Sequence, residues 1–263
     1  MSLAPEDFFT LAEITRHRVL FEGCTRVWEI LPHLSEYLRE HITPLPSSVP
    51  VGEPLPQGWI ICRGEALPFS EVEIIREKGK WRIRRRGEIL PGAILFPGAV
   101  LMDREIEFLP GSIVEPGALI AGPTLIGPNT EVRHGAYLRG EVLTGEGCVI
   151  GHTTEVKRAV FLDGAKAGHF AYVGDSILGR QVNLGAGTKL ANLRLARGTV
   201  RIRYQGELLD TGLRKLGAIL GDGVQTGCNS VTNPGTLIGP GSLVLPNVTA
   251  GPGVIPPRSI LRK

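Results

Sequence analysis

The sequence predicts a mainly β protein: a parallel β-solenoid of hexapeptide repeats behind a small helical N-terminal region. Three observations carry this expectation. From residue 89 almost to the end, short units recur every six residues. They run ILPGAI, LFPGAV, VEPGAL, IAGPTL and IGPNTE, and later LGRQVN, LGAGTK, TNPGTL, IGPGSL, VLPNVT and AGPGVI. Glycine (35) and proline (20) are abundant for 263 residues, above the usual shares of roughly 7% and 5%. Aromatic residues are only 6% of the chain, so the core must be built from small and branched aliphatics.

A six-residue period fits neither a helix nor a plain strand. It fits a short strand followed by a tight turn, with the leading aliphatic always pointing inward. Three units make one triangular coil, and stacked coils are stabilised by contacts with their neighbours. Glycine and asparagine supply the positive φ that the corners need. About eight coils fit between residues 89 and 261. Collagen is excluded, because glycine does not recur at every third position.

The preceding residues differ in character. Apolar residues from Leu11 to Leu38 recur at spacings near three and four, which predicts helix over 8–42, broken in two at Pro32. PLPSSVPVGEPLPQG (44–58) reads as a linker or an extended edge. WIICR and VEIIRE read as strands, followed by the basic strand GKWRIRRRGE. The expected division is therefore 1–88, helical and extended, and 89–263, the solenoid. One segment, ARGTVRIRYQGELLDTGLRK (196–215), breaks the hexapeptide phase. Its alternation predicts a hairpin loop projecting from the frame, and long loops on regular scaffolds often carry function.

Composition narrows the function. No apolar run reaches the length of a membrane span, and the start MSLAPEDFF lacks the features of a signal peptide. The expected location is the cytoplasm. Cys24, Cys62, Cys148 and Cys228 show no clustered spacing, as expected of reduced thiols. A net charge of +3 suits small anionic ligands better than a nucleic-acid backbone. KWRIRRR is one short run without aromatic interleaving, expected to be a solvated edge strand guarded by its charge.

Between residues 134 and 233 the motifs become specific. YLRG, GHTTEVKRA, GAKAGHFAYVGDS, VNLGAGTKLAN and RKLGAILGDGVQTG follow in order. In order and spacing they resemble the left-handed β-helix acetyltransferase domain of the bifunctional glucosamine-1-phosphate N-acetyltransferase / UDP-N-acetylglucosamine pyrophosphorylase family. The resemblance is close over about 100 residues and extends to the remaining solenoid by repeat pattern. It implies left-handed coiling, although general crossover rules favour the right hand. Residues 1–88 lack the glycine-rich loop that binds nucleotide phosphates in that family's other half. Acyl transfer is therefore expected, and nucleotidyl transfer is not.

Arg139 and Lys157 lie 18 positions apart, one coil, which stacks them about 4.8 Å from each other. Such like charges repel unless an anion lies between them or they form a solvated surface pair. The resemblance makes them a sugar-phosphate clamp, with Arg139 as a fork and Lys157 as a point charge. Glu155 shares the strand face of Lys157. It reads as a plain ion pair or, by resemblance, as part of the acceptor site, fixing the lysine or the sugar amine. The resemblance makes His169 the general base. Amide formation from a thioester needs a neutral amine, and an imidazole, ordinarily near pKa 6.5, is suited to take the proton. By the same correspondence Tyr172 and Asn183 contact the sugar phosphate, and Ala186, Asn192, Lys215 and Cys228 fall at acetyl-CoA-binding positions. Cys228 stands where the family commonly has serine, and a thiol is the weaker donor.

His134 and His152 are 18 apart and His169 follows 17 later, which predicts a histidine ladder. Related metal-binding solenoids use a close histidine pair that this sequence lacks, so no metal is expected. The resemblance implies a homotrimer with sites between subunits, acetyl-CoA as co-substrate and an amino-sugar phosphate as acceptor. Glucosamine-1-phosphate, in UDP-N-acetylglucosamine biosynthesis, is the leading acceptor. A separate uridylyltransferase is a possible partner; nucleic acid and membrane are not expected. Two other functions compete: acyl transfer to another sugar nucleotide, and a non-catalytic solenoid that binds a sugar nucleotide or a protein.

Overall fold

The computed structural model describes residues 2–262. The repeat region winds into coils whose strands stack in parallel on three faces. Face one runs from Ala93–Leu95 to Ile260–Leu261. Face two runs from Val100–Leu101 to Thr249–Ala250, with eight rungs. Face three runs from Ile106–Phe108 to Gly253–Ile255. The expected coil number and the β-solenoid both appear.

From Leu95 on the leading aliphatics point inward as the period requires. Ile89, expected to lead the first unit, is exposed and lies in the strand Glu88–Leu90 of a separate sheet, so the coils begin at Ala93. Val114, Ile120, Ile126, Val132, Leu138 and Ile150 are all buried in one continuous core. One corner column, between faces one and two, shows how the turns are made. Gly135, Thr153, Phe170, Gly187, Asn229 and Asn247 stand on successive rungs there, all with positive φ. Glycine and asparagine accept that conformation readily; Thr153 and Phe170 adopt it against preference.

Two coils are one residue short. Tyr137 pairs with Glu155, 18 positions on, whereas Glu155 pairs with Tyr172, only 17 on. The residue is lost at the corner between faces two and three. There Glu155–Phe161 and Tyr172–Leu178 pass from one face to the next as single strands. Arg158 (φ 43°) and Asp175 (φ 46°) make the bends.

The N-terminal region departs from the expected pair of helices. Residues 5–29 contain four short 3-10 turns, and one α-helix spans Ile30–His41. Pro32 does not break it, because it stands in the first turn, where no intrahelical N–H bond is lost. The apolar spacing has a different cause. Phe8, Phe9, Phe21, Trp28, Leu31 and Leu34 pack on the outside of face three, against Leu125, Leu143, Val160 and Ile177. Those four outward side chains are at most 2% exposed. Polar ties fix the docking: Asp222 N donates to the Phe8 carbonyl at 2.9 Å, and Thr15 Oγ1 donates to Asp163 at 2.9 Å.

The inserted segment forms the expected hairpin, Arg201–Tyr204 with Glu207–Asp210. It does not project, however. Val200 and Ile202 are fully buried in the same outer cluster, so the hairpin lies back on the solenoid. Residues 44–58 are an extended edge along the first coil, where Leu55 N donates to the Ala99 carbonyl at 2.8 Å. Trp59–Cys62 pairs antiparallel with Glu65–Pro68 and with Ala93–Leu95, extending face one. The basic strand Lys80–Arg85 is not an edge. It is the centre of a three-stranded sheet between Glu73–Glu77 and Glu88–Leu90. Two of its charges are balanced locally, Arg85 by Glu71 and Arg84 by Glu77. No helix among the described residues is long and apolar enough to cross a membrane.

The docked N-terminal segment should respond to acid through His17. Its Nδ1 lies 2.8 Å from the Tyr37 hydroxyl, while Nε2 is buried without a partner. Burial holds the imidazole down to about 4, with His41 and Arg16 acting in the same direction and Asp163 opposing. The folded state therefore resists the proton that the unfolded chain takes up near 6.5. The stability tied to a neutral ring is complete above 6.5 and is lost as pH falls toward 4. Amide exchange in residues 3–38 should accelerate across that window, and His17→Phe should flatten the dependence. An unchanged pH response in the variant refutes the assignment.

Candidate functional site

Stacking turns sequence spacing into vertical columns. At the corner between faces one and two, one column contains His134, His152, His169, Ala186 and Cys228. A carbonyl ladder shows the alignment. Phe170 N donates to the His152 carbonyl (2.7 Å), Gly187 N to His169 (3.1 Å), Asn229 N to Ala186 (2.8 Å) and Asn247 N to Cys228 (3.0 Å). Neighbouring positions are therefore about 4.8 Å apart, and Cys228 stands two rungs from His169.

The three histidines form the expected ladder but are not equivalent. His134 and His152 stack nearly parallel, with centroids 5.5 Å apart and planes 11° apart. Each ring is tethered to the rung before it: Nδ1 of His134 to the Pro116 carbonyl (2.7 Å), Nδ1 of His152 to the His134 carbonyl (2.9 Å). A carbonyl only accepts, so Nδ1 carries the proton in both. His169 pairs with His152 in register and is exposed. Its ring has no hydrogen bond among the described residues and lies beside exposed Phe170, 6.4 Å between centroids. It is the one untethered imidazole of the column.

Face two supplies the charges. Tyr137, Glu155 and Tyr172 form one outward column. Arg139 and Lys157 occupy the same position two residues further along their rungs and so stand one coil apart, as the spacing predicts. Glu155 does not fix the lysine. Its Oε1 accepts from Arg139 Nη1 at 2.8 Å, because the guanidinium reaches up one rung. This hydrogen bond raises the Arg139 pKa further. Lys157 has no ion-pair partner within 4.0 Å among the described residues. One cation is thus held by Glu155 and the other is open to an anion.

The remaining expected residues fall into two groups. Ala186 and Cys228 continue the His169 column, and Asn183, on face one, lies three residues before Ala186. Asn192 and Lys215 lie at the opposite edge of face two. Asn192 is 8% exposed, and its Nδ2 donates to buried Asp175 at 2.5 Å. Lys215 bridges back to Leu193 where the inserted segment rejoins the coil. The four positions expected to bind coenzyme are therefore divided between two corners of one subunit. Asp175, which the sequence did not single out, is 1% exposed and faces Arg158 Nη1 at 3.5 Å. Its signal was a charged residue inside a hydrophobic strand, YVGDSIL.

Comparison with known proteins places relatives on this region. Residues 120–233 match the family described as the GMPPB C-terminal domain. A bifunctional sugar-1-phosphate nucleotidylyltransferase/acetyltransferase of Sulfurisphaera tokodaii is 38% identical over 149 residues, 57% of this chain and 36% of that protein. The bifunctional protein GlmU of Methanococcus maripaludis is 38% identical over 109 residues, 41% of this chain and 26% of its own length. Among solved structures, the acetyltransferase domain of PglB from Neisseria gonorrhoeae FA1090 covers 59% of this chain and 53% of its own, at 12% identity and a TM-score of 0.25. The chain thus spans 36% and 26% of the length of these two curated relatives.

Cysteine reactivity checks the column. Cys228 is exposed, whereas Cys148 is fully buried and burial pushes its thiol up to about 12. An aromatic disulfide reagent should modify Cys228 rapidly in the native chain and reach Cys148 only on unfolding. Cys228→Ser should remove the fast phase; a fast phase that persists contradicts this placement.

Proposed function

We propose that this chain is an acyltransferase that moves an acetyl group from acetyl-CoA to the amine of an amino-sugar phosphate. Glucosamine-1-phosphate is the acceptor to test first, in the biosynthesis of UDP-N-acetylglucosamine. The observation that carries the proposal is the untethered imidazole of His169, one rung above an open Lys157 and two above Arg139. The Sulfurisphaera tokodaii relative, a bifunctional sugar-1-phosphate nucleotidylyltransferase/acetyltransferase, points the same way.

Each residue then has a role. Lys157 and Arg139 hold the phosphate, with Arg139 aimed by Glu155. Tyr172 lies beside them. The amine reaches the corner at His169, and Ala186, small and on the next rung, leaves space for the thioester. The amine nitrogen attacks the thioester carbonyl carbon, forming C–N as C–S breaks. His169 takes one proton from the ammonium before attack and passes it to solvent. The second proton, shed by the nitrogen as the C–N bond forms, goes through the same imidazole to the departing thiolate. Alignment of the two substrates along one column supplies the proximity.

Asn183 faces away from Tyr172 around the corner, and Asn192 with Lys215 lies at the far edge of face two. A homotrimer in which a second copy is seated against this corner unites these groups in one cleft. A separate uridylyltransferase would use the product, and the cytoplasm is the compartment where acetyl-CoA and such sugars meet.

Coenzyme A release on glucosamine-1-phosphate tests the activity. His169→Ala should lower turnover by about 10²–10⁴-fold with small changes in both Michaelis constants. Lys157→Ala should raise the acceptor's Michaelis constant by roughly tenfold or more and leave that of acetyl-CoA unchanged. Near-wild-type turnover in the histidine variant removes it from the mechanism and makes Glu155 the next candidate. Light scattering at micromolar concentration should give three copies; a stable monomer argues against the shared cleft.

A further inference from the structure

Asn192 matched a coenzyme-binding position, yet its amide is engaged inside the protein. At the corner between faces two and three, Arg158, Asp175 and Asn192 stand at one position on three successive rungs. This alignment exists because both short coils lose their residue here. Asp175 is 1% exposed. Its Oδ2 accepts from Asn192 Nδ2 at 2.5 Å, and its Oδ1 lies 3.5 Å from Arg158 Nη1. Arg158 is held in turn by Glu141.

The same amide nitrogen meets Tyr172. Gly174 has no side chain, and the Tyr172 ring extends across it. A methyl group placed on Gly174 would lie 2.6 Å from both Asn192 Nδ2 and Tyr172 Oη, and 2.9 Å from Cζ. The glycine thus opens the space in which amide and phenol converge. The phenol pKa is raised, chiefly by burial, and the Asn192 amide works against that rise, as a donor to the phenol oxygen does.

An amide has two N–H groups on one end and a carbonyl on the other. A buried carboxylate accepts only, so Asp175 fixes which end of Asn192 faces it. One N–H goes to Asp175, and the other is left for Tyr172 Oη, which borders the same space beside Gly174. A phenol that receives a donor there directs its own O–H elsewhere. The open direction is outward, toward the face that carries Lys157 and Arg139. We propose that Asp175 is a positioning residue: it orients Asn192 so that the Tyr172 hydroxyl donates to an anionic oxygen of the acceptor. The sequence YVGD then has a physical reason at each polar step. Tyr172 is the donor, Gly174 the space and Asp175 the group that sets direction. The inference rests on the acyl-transfer reading only for the identity of the acceptor.

The test is a double-mutant cycle on the full chain, with glucosamine-1-phosphate and acetyl-CoA. Asp175→Ala should raise the acceptor's Michaelis constant on the order of tenfold and leave that of acetyl-CoA unchanged. Asp175→Asn keeps an oxygen for the Asn192 N–H and should recover most of the loss. In a Tyr172→Phe background, Asp175→Ala should add nothing further. Equal effects in both backgrounds, or an unchanged acceptor constant in Asp175→Ala, overturn the proposal. If Asp175→Ala does not fold, Asn192→Ala takes its place in the cycle, read on the acceptor's Michaelis constant alone. A wild-type chain that releases no coenzyme A refutes acyl transfer. Calorimetric binding of glucosamine-1-phosphate then runs the same cycle without turnover, and absence of binding overturns the positioning role as well.

Discussion

Everything in this molecule depends on the in-register parallel stacking of its coils. Each rung lies about 4.8 Å from the next, so residues 17 or 18 positions apart in sequence become vertical neighbours. The stacking buries the leading aliphatics in one core and lines up the outward side chains as columns. A histidine column, a column of alternating Tyr and Glu, and an Arg–Asp–Asn column are all products of one period. A rigid frame of this kind holds reacting groups at fixed separation without a mobile loop.

The same regularity creates a problem on face three. Its outward column, from Leu125 through Leu143, Val160 and Ile177, is apolar. Left open, it would be a long hydrophobic stripe of the kind that drives association. Residues 3–38 and the inserted hairpin cover it from two directions. The N-terminal region is thereby part of the solenoid's own packing, and face three is closed to ligands. Exposed cations, carboxylates and an untethered imidazole are left to face two and its corners.

Local polar structure then refines those columns. His134 and His152 give their Nδ1 protons to carbonyls, and His169 does not. Arg139 is held by Glu155, and Lys157 is open. The missing residue in each of two coils brings Arg158, Asp175 and Asn192 into line behind Tyr172. In a uniform 18-residue repeat the corner would carry an extra residue, and the three side chains would not share this position. An irregularity of one residue in the frame thus shapes the candidate site.

The six-residue period by itself determined the solenoid, its coil number and the vertical pairing of Arg139 with Lys157 and of His134 with His152. Each follows from counting, because a strand and a turn repeat at constant length. The inserted hairpin was legible from the alternation in TVRIRY. The sequence could not show that Pro32 stands in a first helical turn, that KWRIRRR is a central strand, or that the hairpin lies flat. Those outcomes depend on which distant surface each segment covers, and local spacing has no information about that surface. The sequence also could not assign Asn192. Its amide is taken by Asp175, 17 positions away, and that contact forms only when two shortened coils stack. Identity and spacing determined which groups are present at each height of the solenoid. Only the tertiary structure decided which are already bonded and which are free, because hydrogen bonds between rungs are satisfied through space and not along the chain.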